Sequence, residues 1–333
     1  MGTRRGWGPI LTCWSRRTVP LLASAGQNRI RFVTTSIRPG HLFLNRFLIA
    51  EVIPGGGMAD VFRANDQRVR RQVVIKSQRA GEEGVAFQAR FQREVEVLGG
   101  VQHPFVLPLL DAGTLEDRRV WFAVPFVRDR CLRYQIEECR RAFDRAQAVQ
   151  LGLDICEALQ AVHDKQWVHA DVKPANVLVS GRHFVLADFG IASRLDSTVL
   201  PHAEGPDRPP CLLSEPDESH PATSLRGTAE FLSPSRYEGA PATPADDCFA
   251  LAVVLYQVLA GADPFDGVAG PFRYGRMLAK PPTNPRLAHP AVPEPLAGFL
   301  LRALDCTREE RFRTAEEMRQ SLLAASGGSW PEG

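Results

Sequence analysis

The sequence predicts an α+β fold in which a small antiparallel β-sheet lobe precedes a larger, mainly helical lobe. Two observations carry that expectation. Between Phe47 and Lys76, short β-branched and aromatic runs (FLIAEVI, then ADVF behind a glycine-rich turn, then QVVIK) alternate with turn residues, the pattern of a meander. From Asp144 onward, apolar residues recur at helical spacing instead, as in Val149, Leu153, Cys156, Leu159 and Val162.

The elements follow in order. Residues 1–40 mix Arg, Ser and Thr with small apolar residues, are interrupted by Pro20, Gly26 and Pro39, and are expected to form a flexible basic arm. The small lobe is expected over 41–127. Its meander is followed by a helix whose Phe87, Phe91, Val95 and Leu98 share one face, with Glu94 on the polar side. The run VWFAVPFV supplies a further strand and closes the lobe. The large lobe is expected over 128–325, with Asp144 as N-cap of its long helix and 326–333 as a tail. Within it, residues 196–225 hold six prolines, six acids, one Arg and no aromatic residue. That is too little apolar surface to offset the entropy of ordering, so a disordered insert is expected there.

Composition excludes several classes. With 333 residues, 44% of them hydrophobic, the chain can bury the core of one large or two small domains, which excludes disorder throughout. Its 40 Lys+Arg against 38 Asp+Glu leave a net charge of +2, without the basic excess typical of nucleic-acid binders, so no nucleic-acid partner is expected. Seven cysteines with no CxxC pair argue against a disulfide framework or a zinc site and for a reducing compartment. The longest apolar run, 250–260, falls short of the roughly 18 to 20 residues that span a bilayer, so no transmembrane segment is expected. A cytoplasmic address follows. The alternative is mitochondrial, because residues 1–50 hold eight Arg and no acid, as a transit peptide would.

Four signals in a fixed order carry chemistry. The first is the turn Ile53-Pro54-Gly55-Gly56-Gly57-Met58-Ala59-Asp60-Val61-Phe62, whose glycines let backbone N–H groups approach phosphate oxygens. The second is Val73-Val74-Ile75-Lys76, a strand ending in a lysine, with Glu94 on the next helix to pair with it. Third comes His169-Ala170-Asp171-Val172-Lys173-Pro174-Ala175-Asn176, a Pro-stiffened loop offering a proton acceptor, a cation and an amide ligand in one small volume. The fourth is Asp188-Phe189-Gly190, whose carboxylate suits a hard cation such as magnesium. Each alone has an ordinary reading as a hairpin loop, an edge charge or a solvated loop. Their order is what gives them weight.

Over residues 41–322 these motifs resemble the eukaryotic-like serine/threonine protein kinases common in bacteria. The resemblance implies a two-lobed protein kinase-like fold and ATP- and Mg2+-dependent phosphoryl transfer to Ser or Thr hydroxyls of a protein substrate. It implies catalytic roles for Lys76, Glu94, Asp171 and Lys173, and magnesium ligation by Asn176 and Asp188. Nucleotide contacts are implied for Ile53, Gly55, Gly56, Gly57, Val61, Val74, Lys76, Val124, Phe126 and Leu178, with Gly227 and Thr228 in the loop that receives the acceptor. Leu98, Leu109, His169 and Phe189 match the family's regulatory stack, and Asp247 its buried aspartate at the start of the central large-lobe helix.

Departures from the family pattern set the alternative. Pro54 and Ala59 stand where the family has glycines, Ala170 where it has an arginine that reads loop phosphorylation, and Ser235 where it has a glutamate that pairs with an arginine matching Arg311. Glu238 is expected to substitute for that glutamate, or Arg311 to reach water. The alternative function is a pseudokinase-type nucleotide-binding or scaffolding module. Ala170 implies weak dependence on loop phosphorylation, and the 196–225 insert is the expected place for a regulatory partner.

Overall fold

A computed structural model describes residues 37–53, 59–79, 85–139, 142–195, 229–268, 271–307 and 310–327. The arm, the glycine turn from Pro54 to Met58, the insert and the Gly227-Thr228 pair therefore lie outside the described residues, apart from the last residues of the arm. The elements below belong to the compact unit Arg38–Gly333.

The meander forms as its alternation demands. Strands β1 (Leu42–Phe43), β2 (Phe47–Ile53), β3 (Ala59–Asp66), β4 (Arg71–Gln78), β5 (Asp111–Thr114) and β6 (Val120–Pro125) make one antiparallel sheet in the order β1-β2-β3-β4-β6-β5. Register aligns Ile53 with Val61, Val61 with Lys76 and Lys76 with Phe122, so these four share one face of the sheet. Phe62, Ile75 and Ala123 form the next row and point the other way, each buried. Strand β5 has a weak local signal, because Asp-Ala-Gly-Thr lacks β-branched bulk; β6 templates it through the ladder.

Helix α1 (Val85–Gly100) packs on this sheet, with Phe91 and Phe122 rings 5.5 Å apart. Here one expectation is corrected. Glu94 lies not on the polar side but buried at 5% exposure, on the face that carries Phe91 and Leu98. A carboxylate tolerates that place because a cation meets it there.

Beyond a short α2 (Leu132–Glu137), the helical part is built around α3 (Arg145–His163) and α5 (Pro244–Ala260), with α4 (Pro234–Tyr237), α6 (Pro271–Ala279), α7 (Pro285–Ala288), α8 (Glu294–Ala303) and α9 (Ala315–Ala325) completing it. Asp144 caps α3 as expected: its carboxylate accepts the Gln147 N–H at 2.8 Å while the Gln147 side chain accepts the Asp144 N–H at 3.2 Å. Helix α5 is buried from Asp246 through Tyr256, so its apolar run forms the centre of the helical core. It stops at Gly261, whose φ of 63° is the left-handed conformation that glycine adopts without strain. Gly152 lets α3 approach α5 and α9 closely; a Cβ there would stand 2.4 Å from Leu322 Cδ2 and 3.2 Å from Leu255 Cδ1. Short pairs β7 (Trp167–Val168) with β10 (Ser193–Arg194) and β8 (Val177–Ser180) with β9 (His183–Leu186) frame the loops that carry the third and fourth motifs. No helix among the described residues is long and apolar enough to cross a membrane.

Candidate active site

Alternation along β4 buries Val73, Ile75 and Ser77 and turns Val74 and Lys76 to the opposite face. From there the Lys76 ammonium donates to both Glu94 oxygens, at 2.8 and 3.0 Å, and stands 3.6 Å from Asp188 Oδ1. The two carboxylates raise the lysine pKa against the opposing pull of burial, so it stays protonated. In return Lys76, assisted by His169 and Lys173, holds the Asp188 carboxyl below its ordinary value.

The loop after β7 is fixed from beneath. Asp247, at the start of α5, accepts the backbone N–H groups of His169 and Ala170 and bonds His163 Nε2 at 2.8 Å. His169 in turn bonds the Ala187 carbonyl at 3.1 Å through Nε2 and accepts the Asp171 N–H at 3.2 Å through Nδ1, while its ring meets Phe189 edge-on at 4.7 Å. The imidazole thus links the third motif to the fourth. Phe189 is fully buried, and Leu98 and Leu109 belong to the same apolar cluster.

At the top of this loop, Lys173 Nζ and Asn176 Nδ2 both donate to Asp171 Oδ2, at 2.7 and 2.9 Å. Asn176 Nδ2 also donates to the Asp171 carbonyl. The side-chain carbonyl of Asn176 is left as a hard oxygen donor, the ligand type a divalent cation takes together with a carboxylate such as Asp188. Asp188 has φ 65°, a left-handed value that aspartate tolerates better than most side chains.

The apolar candidates line up with the sheet. Ile53, Val61 and Val74 are half-buried, Val74 pairs with buried Val124, and β6 runs on into Phe126, whose N–H meets the Gln72 carbonyl at 3.4 Å. Leu178 on β8 is half-buried and bridges Cys131 on the stretch after β6. Gly55, Gly56, Gly57, Gly227 and Thr228 fall outside the described residues.

The protein kinase domain family matches residues 47–323. The chain belongs to the protein kinase family. Among its relatives, the serine/threonine-protein kinase PknB of Mycobacterium leprae is 30% identical over 300 residues, covering 88% of this chain and 45% of that protein. PrkC of Bacillus subtilis is 30% identical over 289 residues, covering 86% of this chain and 41% of that protein. The chain thus spans less than half the length of these kinases. Of solved structures, a mutant form of the Mycobacterium tuberculosis PknI kinase domain aligns at a TM-score of 0.61 and 22% identity, covering 88% of this chain and all of that one, a likeness of fold.

Against the kinase pattern, Ser235 takes a different partner from the glutamate it replaces. Its hydroxyl donates to Asp246 Oδ1 at 2.7 Å, beside Ser233 at 2.5 Å, and Asp246 Oδ2 accepts the Thr243 N–H and hydroxyl. Glu238 is exposed and accepts from the Tyr274 hydroxyl at 3.0 Å. Arg311 is buried at 6% exposure, lies 5.6 Å over the Phe249 ring, and shares with Ser235 and Asp246 the lining of a pocket. Sequence reasoning missed Asp246, although Thr-x-x-Asp ahead of an apolar run is a capping-box signal.

Proposed function

We propose that this protein transfers the γ-phosphoryl group of ATP, with Mg2+, to Ser or Thr hydroxyls of a protein substrate. One observation carries the reading: Lys76, with Glu94 behind it, stands 3.6 Å from Asp188, whose carboxyl also feels the Lys173 ammonium bonded to Asp171. The contact of Lys76 with Glu94 and Asp188, and of Lys173 and Asn176 with Asp171, supports reading the motifs as one site.

In this reading Lys76 holds the α- and β-phosphates and Glu94 keeps it aimed. Asn176 and Asp188 hold the magnesium, which neutralises phosphate charge when bound. Asp171 Oδ2 is engaged by Lys173 and Asn176, so Oδ1 is the oxygen that accepts the proton of the incoming hydroxyl. Lys173 offsets charge on the transferring group. Alignment and electrostatics do the work, as phosphoryl transfer demands. Val61, Val74 and Leu178 flank the adenine, Ile53 and the 55–57 glycines cover the nucleotide, and Val124 to Phe126 lead into its backbone contacts. Gly227 and Thr228 belong to the acceptor loop, and Lys173 with Thr228 favours Ser/Thr over Tyr. The relatives named as serine/threonine-protein kinases support that choice. The intact convergence favours transfer over a scaffold. We assign 41–127 and 128–325 as the two lobes, a cytoplasmic setting, and the 196–225 insert as the site of regulation by a partner.

The test is transfer of labelled γ-phosphate to a generic basic protein, with mass spectrometry to locate modified residues. Signal above that of a Lys76→Met, Asp188→Ala double variant supports the reading; signal equal to it refutes it.

A further inference from the structure

Helix α1 brings Glu94 to Lys76, and the aim of that carboxylate depends on how far the helix is rolled about its own axis. Successive residues of an α-helix turn by about 100°, so Glu96 stands about 200° around from Glu94. It is exposed there. Its Oε1 accepts a hydrogen bond from Arg194 Nη1 at 3.1 Å. The two carboxylates of one helix thus take their cations from separate elements, Glu94 from β4 and Glu96 from β10.

Arg194 follows the Asp188-Phe189-Gly190 motif and is itself held on two sides. Strand β10 pairs antiparallel with β7, setting Ser193 opposite Val168 and Arg194 opposite Trp167, and the Leu195 N–H donates to the Gln166 carbonyl at 2.9 Å. The Arg194 guanidinium lies 5.1 Å from the centre of the Trp167 ring, which is buried. Val168 runs directly into His169, the imidazole that joins the loop of Asp171 to the motif of Asp188. An ion pair between two freely moving exposed side chains contributes little, because ordering both of them cancels most of the attraction. Here one partner is already ordered by the ladder and by the ring, so less freedom is lost when Glu96 meets it. A single guanidinium therefore ties α1 to the strand pair that leads into the loop of Asp171.

We propose that Arg194 is a positioning residue for the nucleotide site: through Glu96 it fixes the roll of α1 and so keeps Glu94 on Lys76. The proposal rests on the kinase reading. In the full chain, Glu96→Arg sets two cations against each other, and Arg194→Glu two carboxylates. Each is expected to lower kcat/KM for ATP by about fivefold and to leave the acceptor KM within about twofold. The double swap Glu96→Arg, Arg194→Glu restores the pair with its charges exchanged, and is expected to return kcat/KM to within about twofold of wild type, as contacting residues behave. Hydrogen exchange over 91–100 is expected to speed up by about threefold in Glu96→Arg and to slow again in the double swap, with helix 145–163 unchanged throughout. Single variants at the wild-type kcat/KM, a double swap no better than either of them, or exchange over 91–100 that does not respond would each overturn the proposal. If the wild type transfers no phosphate, the kinase reading falls together with the nucleotide role, and exchange in the single and swapped variants still decides whether Arg194 holds α1.

Discussion

Asp247 accepts the backbone N–H of Ala170 at 2.8 Å through one carboxylate oxygen and that of His169 at 2.9 Å through the other. The first helical residues of α5 thereby hold the loop that presents Asp171. Ala170 has φ 65°, a left-handed conformation that alanine resists, and Asp247 is one of the contacts that keep it there.

Two opposite stability changes are expected from that pair. Asp247→Ala leaves two buried N–H groups and the His163 imidazole without their carboxylate, and should lower stability by about 3 to 5 kcal/mol. Ala170→Gly relieves the left-handed strain and should add about 1 kcal/mol. Urea denaturation midpoints measure both; a less stable Ala170→Gly protein contradicts the strain argument.

In the cleft, Lys76→Met removes a cation from the phosphates and is expected to slow transfer by about 10^2 to 10^3. Asp171→Asn keeps the shape but not the base, with a loss of about 10^2 to 10^4 in kcat and little change in ATP affinity. Steady-state kinetics beside a nucleotide titration separates the two; a parallel loss of ATP binding in Asp171→Asn counts against its assignment.

Far from the cleft, Arg46 pairs with fully buried Asp66 at 2.7 Å and with Asp111 at 2.5 Å. The hydrogen bond from Arg46 is the main cause that lowers the Asp66 carboxyl below its ordinary 3.8. A lowered carboxyl contributes stability that is fully present above 3.8 and fades as pH falls through the lower folded value. Arg46→Met should therefore cost about 3 kcal/mol at pH 7, and the gap from wild type should narrow below about pH 4. Thermal melts of both proteins from pH 7 to pH 3 test this, and a gap independent of pH would refute it.

Thiol reactivity should divide four of the described cysteines. Cys139 is exposed, whereas Cys156 and Cys248 are buried and their thiols are pushed well up by that burial. Burial also raises half-buried Cys306 to about 11. Since the thiolate is the nucleophile, alkylation at pH 8 should label Cys139 before Cys306, reach Cys306 faster with each unit of pH, and leave the buried pair for the unfolded chain. Peptide mapping after timed alkylation reads the order; equal rates at Cys139 and Cys306 at pH 8 would sink it.

Local rules made much of this legible. The β-branched and aromatic runs that predicted β2, β3, β4 and β6 form those strands, β4 burying Val73, Ile75 and Ser77, and Asp144 caps α3 through its own side chain. Lys76, Asp171, Asn176 and Asp188 stand in motifs whose spacing points to one chemistry, and the fold brings them together. Glu94 departs from its expected face because helical periodicity sorts a carboxylate outward; only Lys76, which arrives from another strand, makes its burial tolerable. Strand β5 carries weak propensity and exists because β6 offers it a ladder. The bonds of Asp246 to Ser233 and Ser235 and of Tyr274 to Glu238 cross between elements and leave no local record, whereas the capping box of Asp246 with Thr243 does.

The order of hydrophobic periods and the four motifs sufficed, without coordinates, to determine the α+β architecture and the family resemblance, and to point to candidate residues for the chemistry. Backbone propensity and the reach of a side chain along its own segment are local properties, and a sequence records them directly. What the Ser235 hydroxyl meets in place of the missing glutamate's partner, and which face Glu94 takes, were decided by tertiary packing alone. Each depends on the distance between groups from separate elements, and the balance between burying a charge and pairing it is settled only when those elements meet.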